Sequence, residues 1–181
     1  SQAEPSLLDQ TTPINPHVGK DNYHLTEDLA EQTISWIRHQ KTSAPDKPFM
    51  IYFAPGATHC PLQVWSESIE KFKGQFDEGW DVLRELTYQR QLEMGIIPAG
   101  TENTPRPDSI PAWEDYPDEY KPVASRLMEL YAGFLAHTDA QIGRIIHYLE
   151  KTGQLENTVI ILAADNGASG EGGPNGSVNE N

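Results

Sequence analysis

A chain of 181 residues, 37% apolar and 22% charged, is the size of one domain or of part of a larger one, and its apolar content excludes wholesale disorder. Its formal charge of −14, from 13 basic and 27 acidic side chains, repels nucleic acid and anionic membrane surfaces, and opposes an anionic substrate unless a local cation reverses the sign at the site. No apolar run approaches the roughly 20 residues of a membrane span, and a single cysteine, Cys60, excludes an intrachain disulfide.

Residues 1–23 set Pro5, Pro13, Pro16 and Gly19 among polar residues and read as an irregular opening segment. Ser1 to Pro5 is polar with no apolar stretch after it, so no secretory leader is expected; the start on Ser1 rather than Met fits a processed start or a cut chain. A helix is predicted over about 26–41, with Thr26 as N-cap, Glu27 and Asp28 in its first turn, and Leu29, Ala30, Thr33, Ile34 and Ile37 on one face. Pro48 to Ala54 is a continuous apolar run of strand length, of the kind covered on both faces in a parallel sheet. It ends in the loop Gly56-Ala57-Thr58-His59-Cys60-Pro61.

A short helix around 66–73 and a longer one over about 78–94 follow, the second stopped by Gly95. Residues 98–118, with five prolines, form an irregular connection too long for an ordinary loop. Pro122 suits the first turn of a helix over about 122–151. Its apolar stripe is Leu127, Leu130, Tyr131, Phe134, Leu135, Ile142, Ile145, Ile146 and Leu149, and Gly153 ends it. A second buried strand, Thr158 to Ala164, runs into Asp165-Asn166-Gly167, and residues 168–181 are a tail rich in Gly, Ser and Asn. That tail lacks the spacing of either common phosphate-binding glycine loop.

Strand, helix, strand is the pattern of a parallel crossover, and two strands make a poor sheet, so further strands are expected elsewhere. The predicted fold class is α/β: part of a doubly wound, mostly parallel sheet with flanking helices. In such sheets ligands bind beyond the C-terminal strand ends. One predicted strand delivers His59 there, and the other delivers Asp165 and Asn166. A carboxylate beside an amide carbonyl suits a hard cation such as calcium, although Asp-Asn-Gly after a strand is equally an ordinary turn. His59 follows a buried strand, which favours a role in a site over a surface position. Cys60, adjacent in an extended segment, points to the other side and reads as a small apolar residue. His137 and His147 have no metal-ligand partner three or four residues away, and His17, His24 and His39 lie among polar neighbours. Asp139 reads either as an exposed charge or as a partner to a packed neighbour's backbone.

Several stretches resemble the type I, formylglycine-dependent sulfatases, bacterial arylsulfatases in particular, of the alkaline-phosphatase superfamily. They are Lys47 to Ala54, Gly56 to Gln63, Lys73 to Trp80, Leu130 to Asp139, and Leu155 through Gly167. They span nearly the whole chain in the family's order. The resemblance implies hydrolysis of small-molecule sulfate esters, with a calcium ion binding the sulfate oxygens. It matches Asp165 and Asn166 to two calcium ligands, and His59 to a histidine near the leaving oxygen. It also implies a nucleophile made from the cysteine of a Cys-x-Pro/Ala-x-Arg motif. Cys60 is followed by Pro61-Leu62-Gln63-Val64 and does not fit that motif, and no Asp-Asp pair suits the early calcium ligands. The expectation is therefore the central part of a sulfatase catalytic domain. The competing readings are a phosphate or phosphonate ester hydrolase of the same superfamily, and a non-catalytic metal- or partner-binding segment. The family includes secreted, periplasmic and cytoplasmic members.

Overall fold

The computed structural model describes residues 3–164 and Gly167. Helix α1 (Leu25–Ser43) buries Thr26, Ala30, Ile34 and Ile37, a face repeating every three to four residues as predicted. Its N-cap differs from the expected Thr26. His24 is extended, and its side chain accepts the Thr26 amide. Imidazole nitrogen here does the work that Ser, Thr, Asp or Asn does at most helix starts, so the usual sequence signal was missing. Glu27 and Asp28 occupy the first turn, where the helix dipole favours anions.

The longest helix is α4 (Lys121–Lys151), with Pro122 in its first turn. Gly153, at φ +68°, follows its end and supplies the left-handed turn that stops it. Short α2 (Ser66–Glu70) lies across α4 so closely that a Cβ at Gly133 would sit 3.0 Å from Ile69 backbone and the Ser68 carbonyl. The face α4 buries is unlike the predicted stripe. Of the nine apolar positions only Phe134 and Leu149 are buried, and Leu135 is exposed. The buried face instead runs through Ser125, Glu129, Gly133, His137 and Gln141, one every four residues. Those polar groups find partners. Ser125 Oγ donates to the Phe76 carbonyl at 3.2 Å. Glu129 accepts from the Gly74 amide at 2.7 Å and from Arg126 at 2.6 Å. Phe134, fully buried with its ring edge-on to His24 at 6.0 Å, supplies about 2–3 kcal/mol of apolar burial in this layer.

Helix α3 (Gly79–Glu93) carries the proline-rich connection on its flank. Asp81 accepts from Arg106 Nε at 2.9 Å and from the Trp113 amide at 2.7 Å. Trp80 Nε1 donates to the Pro111 carbonyl at 3.0 Å, Tyr88 to the Thr101 carbonyl at 2.6 Å, and Arg84 to Thr104. Arg106 closes on the Ile110 carbonyl. Trp80, Trp113 and Tyr116 form an aromatic block with centroids 4.7–5.9 Å apart. The long connection is thus irregular, as expected, but tied down along its length.

A hairpin of β1 (Leu7–Asp9) and β2 (Thr12–Ile14) pairs antiparallel within the segment expected to be irregular. Gln10 holds the turn at φ +56°. Hairpin turns of this hand favour Asn or Gly, so Gln10-Thr11 gave no signal. Among the described residues this two-stranded sheet is the sheet present. The runs 48–54 and 158–164 form neither a helix nor a paired strand among the described residues. No α/β crossover is therefore formed among the described residues, because a parallel sheet needs further strands against both runs. Val159, Ile161 and Leu162 are exposed at 87%, 86% and 79%. Leaving these three with half-exposed Ile160 in water forgoes roughly 6–10 kcal/mol of burial, comparable to a whole domain's stability. Residues of this kind are built to be covered. Among the described residues no helix is long and apolar enough to cross a membrane.

Gly79 lies at φ +81°, and a Cβ there would fall 2.1 Å from the Trp113 ring. Gly79→Ala is expected to cost roughly 2–4 kcal/mol, combining left-handed strain with overpacking, read as a lower urea midpoint with altered tryptophan fluorescence. An unchanged midpoint would show that Trp113 does not seat on Gly79.

Candidate active site

The run 48–54 alternates. Phe49, Ile51 and Phe53 are half-buried, whereas Met50, Tyr52 and Ala54 are exposed. Phe49 seats the inner face on α1: its ring lies edge-on to Trp36 at 6.1 Å, and the Lys41 ammonium lies 5.6 Å from its centroid. The chain then turns at Gly56, whose carbonyl accepts the His59 amide at 3.0 Å. This loop presents His59 at the surface, with Nδ1 2.9 Å from the Cys60 carbonyl oxygen. A carbonyl oxygen only accepts, so Nδ1 carries the hydrogen of this bond. That is a suitable state for a histidine acting on a bound molecule. Cys60 is half-buried, and its carbonyl accepts from His59.

The far end of the loop is fastened to the helical layer. His24 Nε2 donates to the Gln63 carbonyl at 2.9 Å, while His24 Nδ1 accepts from Thr26, so the ring is held neutral and in one tautomer. Trp65 Nε1 donates to Glu27 Oε1 at 2.6 Å, and His137 Nε2 donates to the same oxygen at 2.8 Å. The His24 and His137 rings lie 4.4 Å apart. Both histidines are buried, and His137 Nδ1 has no hydrogen-bond partner among the described residues. Burial holds the His24 imidazole below its ordinary value, against the opposing Gln63 bond, and the neighbouring His137 adds to the lowering. Burial alone would raise the Glu27 carboxyl. The hydrogen bonds from His137 and Trp65 outweigh it and hold the carboxyl below its ordinary range.

Sequence reasoning missed both histidines in this cluster, reading His24 as polar-flanked and His137 as dull. His137 shares the face of Ser125, Glu129, Gly133 and Gln141, but polar residues at that spacing read equally as a solvated face, and His24 has no such spacing. His147 and His39 are exposed, as is Asp139. Asp165 and Asn166 lie outside the described residues, and so does the rim they were expected to share with His59. Among the described residues, no group of three or more His, Cys, Asp or Glu side chains is arranged to hold a metal. The donor chemistry of Asp165 and Asn166, one carboxylate and one amide carbonyl, fits part of a calcium shell and would need ligands beyond these two.

A sulfatase family model matches residues 3–180. The chain belongs to the sulfatase family. An uncharacterized sulfatase of Schizosaccharomyces pombe is 35% identical over 155 residues, covering 85% of this chain and 27% of that protein. An arylsulfatase of Klebsiella aerogenes is 33% identical over 151 residues, covering 82% of this chain and 31% of that protein. This sulfatase chain therefore spans about 30% of the length of these two relatives. Family membership implies an α/β fold of the alkaline-phosphatase type.

The cluster at the start of α1 makes this sulfatase chain acid-sensitive. His24 titrates lower in the folded than in the unfolded chain, so the unfolded state takes up protons first. The stability it lends is complete above about pH 6.5 and is lost as pH falls below that. Glu27, also lowered, adds a second loss below about pH 4.5. The urea midpoint should drop between pH 7.5 and 5.5. In His24→Asn, which keeps an N-cap and removes the titration, it should drop less. An equally steep drop in the variant would assign the acid response to other groups.

Proposed function

We propose that this chain is the central part of a calcium-assisted arylsulfatase, and that the complete enzyme hydrolyses sulfate esters with His59 as proton donor to the leaving oxygen. The sulfatase match over residues 3–180 carries the reading, and the arylsulfatase likeness at 33% identity favours sulfate over phosphate. The exposed imidazole at the end of an apolar run supports the role of His59. Two β-strands side by side, 48–54 and 158–164, would bring His59 to one rim with Asp165 and Asn166, in a doubly wound sheet completed by further strands.

Asp165 and Asn166 would hold calcium through a carboxylate oxygen and an amide carbonyl oxygen. A bound calcium would neutralise charge on the sulfate oxygens, which a chain of net charge −14 otherwise repels. The nucleophile of this reading, a hydrated formylglycine, belongs to a Cys-x-Pro/Ala-x-Arg motif that the 181 residues do not contain. His59 would keep one hydrogen on Nδ1, bound to the Cys60 carbonyl, and transfer the other from Nε2 as the ester oxygen departs.

Proton donation matters most where the departing oxygen is most basic. In the complete enzyme His59→Ala should cut kcat by roughly 100-fold or more on a sulfate ester with a poor leaving group, and by under about tenfold on 4-nitrophenyl sulfate. Equal losses across the series would remove the proton-donor role, and faster turnover of the matching phosphate esters would favour the sister chemistry. Asp165→Asn should weaken calcium binding about tenfold or more, since affinity follows ligand charge. Calorimetric titration with unaltered affinity would take Asp165 out of the site.

A further inference from the structure

The loop that presents His59 is held by a buried polar cluster that the proposed chemistry does not use. Four groups from three parts of the chain meet there: His24 and Glu27 at the start of α1, His137 on α4, and Trp65 just past the loop. Two hydrogen bonds reach the loop side, His24 to the Gln63 carbonyl at 2.9 Å and Trp65 to Glu27 at 2.6 Å. They engage the chain four and six residues beyond His59, a span of at most about 14–22 Å even when fully extended. Before the loop, Phe49 packs on Trp36 of the same helix. The loop is therefore pinned to α1 on both sides.

This arrangement is a poor choice for stability alone. His24 and His137 are only 4% and 7% exposed, and one ring nitrogen of His137 is buried without a partner among the described residues. Burying such groups costs free energy unless every bond is made, and apolar replacements of similar volume are often neutral or better. What a hydrogen-bonded node supplies that apolar packing does not is direction, because each of its bonds is specified in both length and angle. We propose that His24, Glu27, Trp65 and His137 form a clasp of positioning residues that sets the place of His59 in the active site. The inference rests on His59 acting as proton donor.

The test uses the complete enzyme and a series of sulfate esters of rising leaving-group basicity. Trp65→Phe deletes one hydrogen bond and keeps a ring, and Glu27→Gln keeps an acceptor while Glu27→Ala removes it. Each is expected to lower kcat on the poorest leaving group about tenfold, with KM within about twofold, because small misplacements of a catalytic group fall on kcat. Glu27→Gln should be the mildest. In a His59→Ala background the same changes should cost less than about twofold further, since the group they position is gone. Losses that multiply in full on top of His59→Ala, or that ignore leaving-group basicity, would overturn the clasp. If Glu27→Ala does not fold, Trp65→Phe carries the same comparison. A His59→Ala loss that is equal across the leaving groups would instead strike at the proton-donor reading, and the clasp would fall with it; the two failures are told apart by whether His59→Ala or the clasp variants lack the leaving-group dependence.

Discussion

One carboxylate oxygen joins the parts of this molecule that matter to its site. Glu27 Oε1 accepts from His137 on α4 and from Trp65 on the loop, while its own backbone lies in the first turn of α1. Hydrogen bonds to a charged group contribute about 1.5–3 kcal/mol each, less for a carboxylate that is 37% exposed. The neighbouring Phe134 supplies a similar amount by burial and without direction. Apolar and polar contributions between α1 and α4 are therefore comparable, and the polar ones also carry direction. Because His24 caps α1 and touches both Trp65 and His137 rings, the helix start, the loop end and the middle of α4 are set together.

The helical layer is well formed, and the sheet layer it was patterned for is not present among the described residues. Seven of the nine apolar positions predicted for α4 remain half-buried or exposed. The runs 48–54 and 158–164 show the same unspent apolar surface. In the α/β fold that family membership implies, surfaces of this kind are covered where strands lie against helices and against each other. The sulfatase relatives are about three times longer than the region they share with this chain.

Helices were legible wherever period and punctuation agreed. Ile34 and Ile37 mark the buried face of α1, and Pro122 and Gly153 bracket α4 as written in the sequence. Elements that depend on distant partners were not. The apolar runs 48–54 and 158–164 have the composition of strands, but neither is a strand among the described residues, because a strand exists only beside another. The buried face of α4 escaped because it is polar, and hydrophobic periodicity does not detect a surface of Ser125, Glu129, His137 and Gln141. For the candidate site, His59 was singled out by its place after an apolar run, and it lies exposed in its loop. Its supports were not found, since His24 and Glu27 are 35 and 32 positions earlier, and His137 is 78 later. Such a node is a property of packing and leaves no local pattern.

The uncovered run Val159-Ile160-Ile161-Leu162 has a consequence for handling the chain. It is β-branched, uncharged and free of proline, the composition that stacks readily into intermolecular sheets. Against it stands mutual repulsion between copies that each carry −14. That repulsion reaches about 30 Å in 10 mM salt and only about 8 Å at physiological ionic strength. Salt therefore acts as the trigger for clumping: dilute buffer keeps molecules apart, and added electrolyte lets their sticky edges meet.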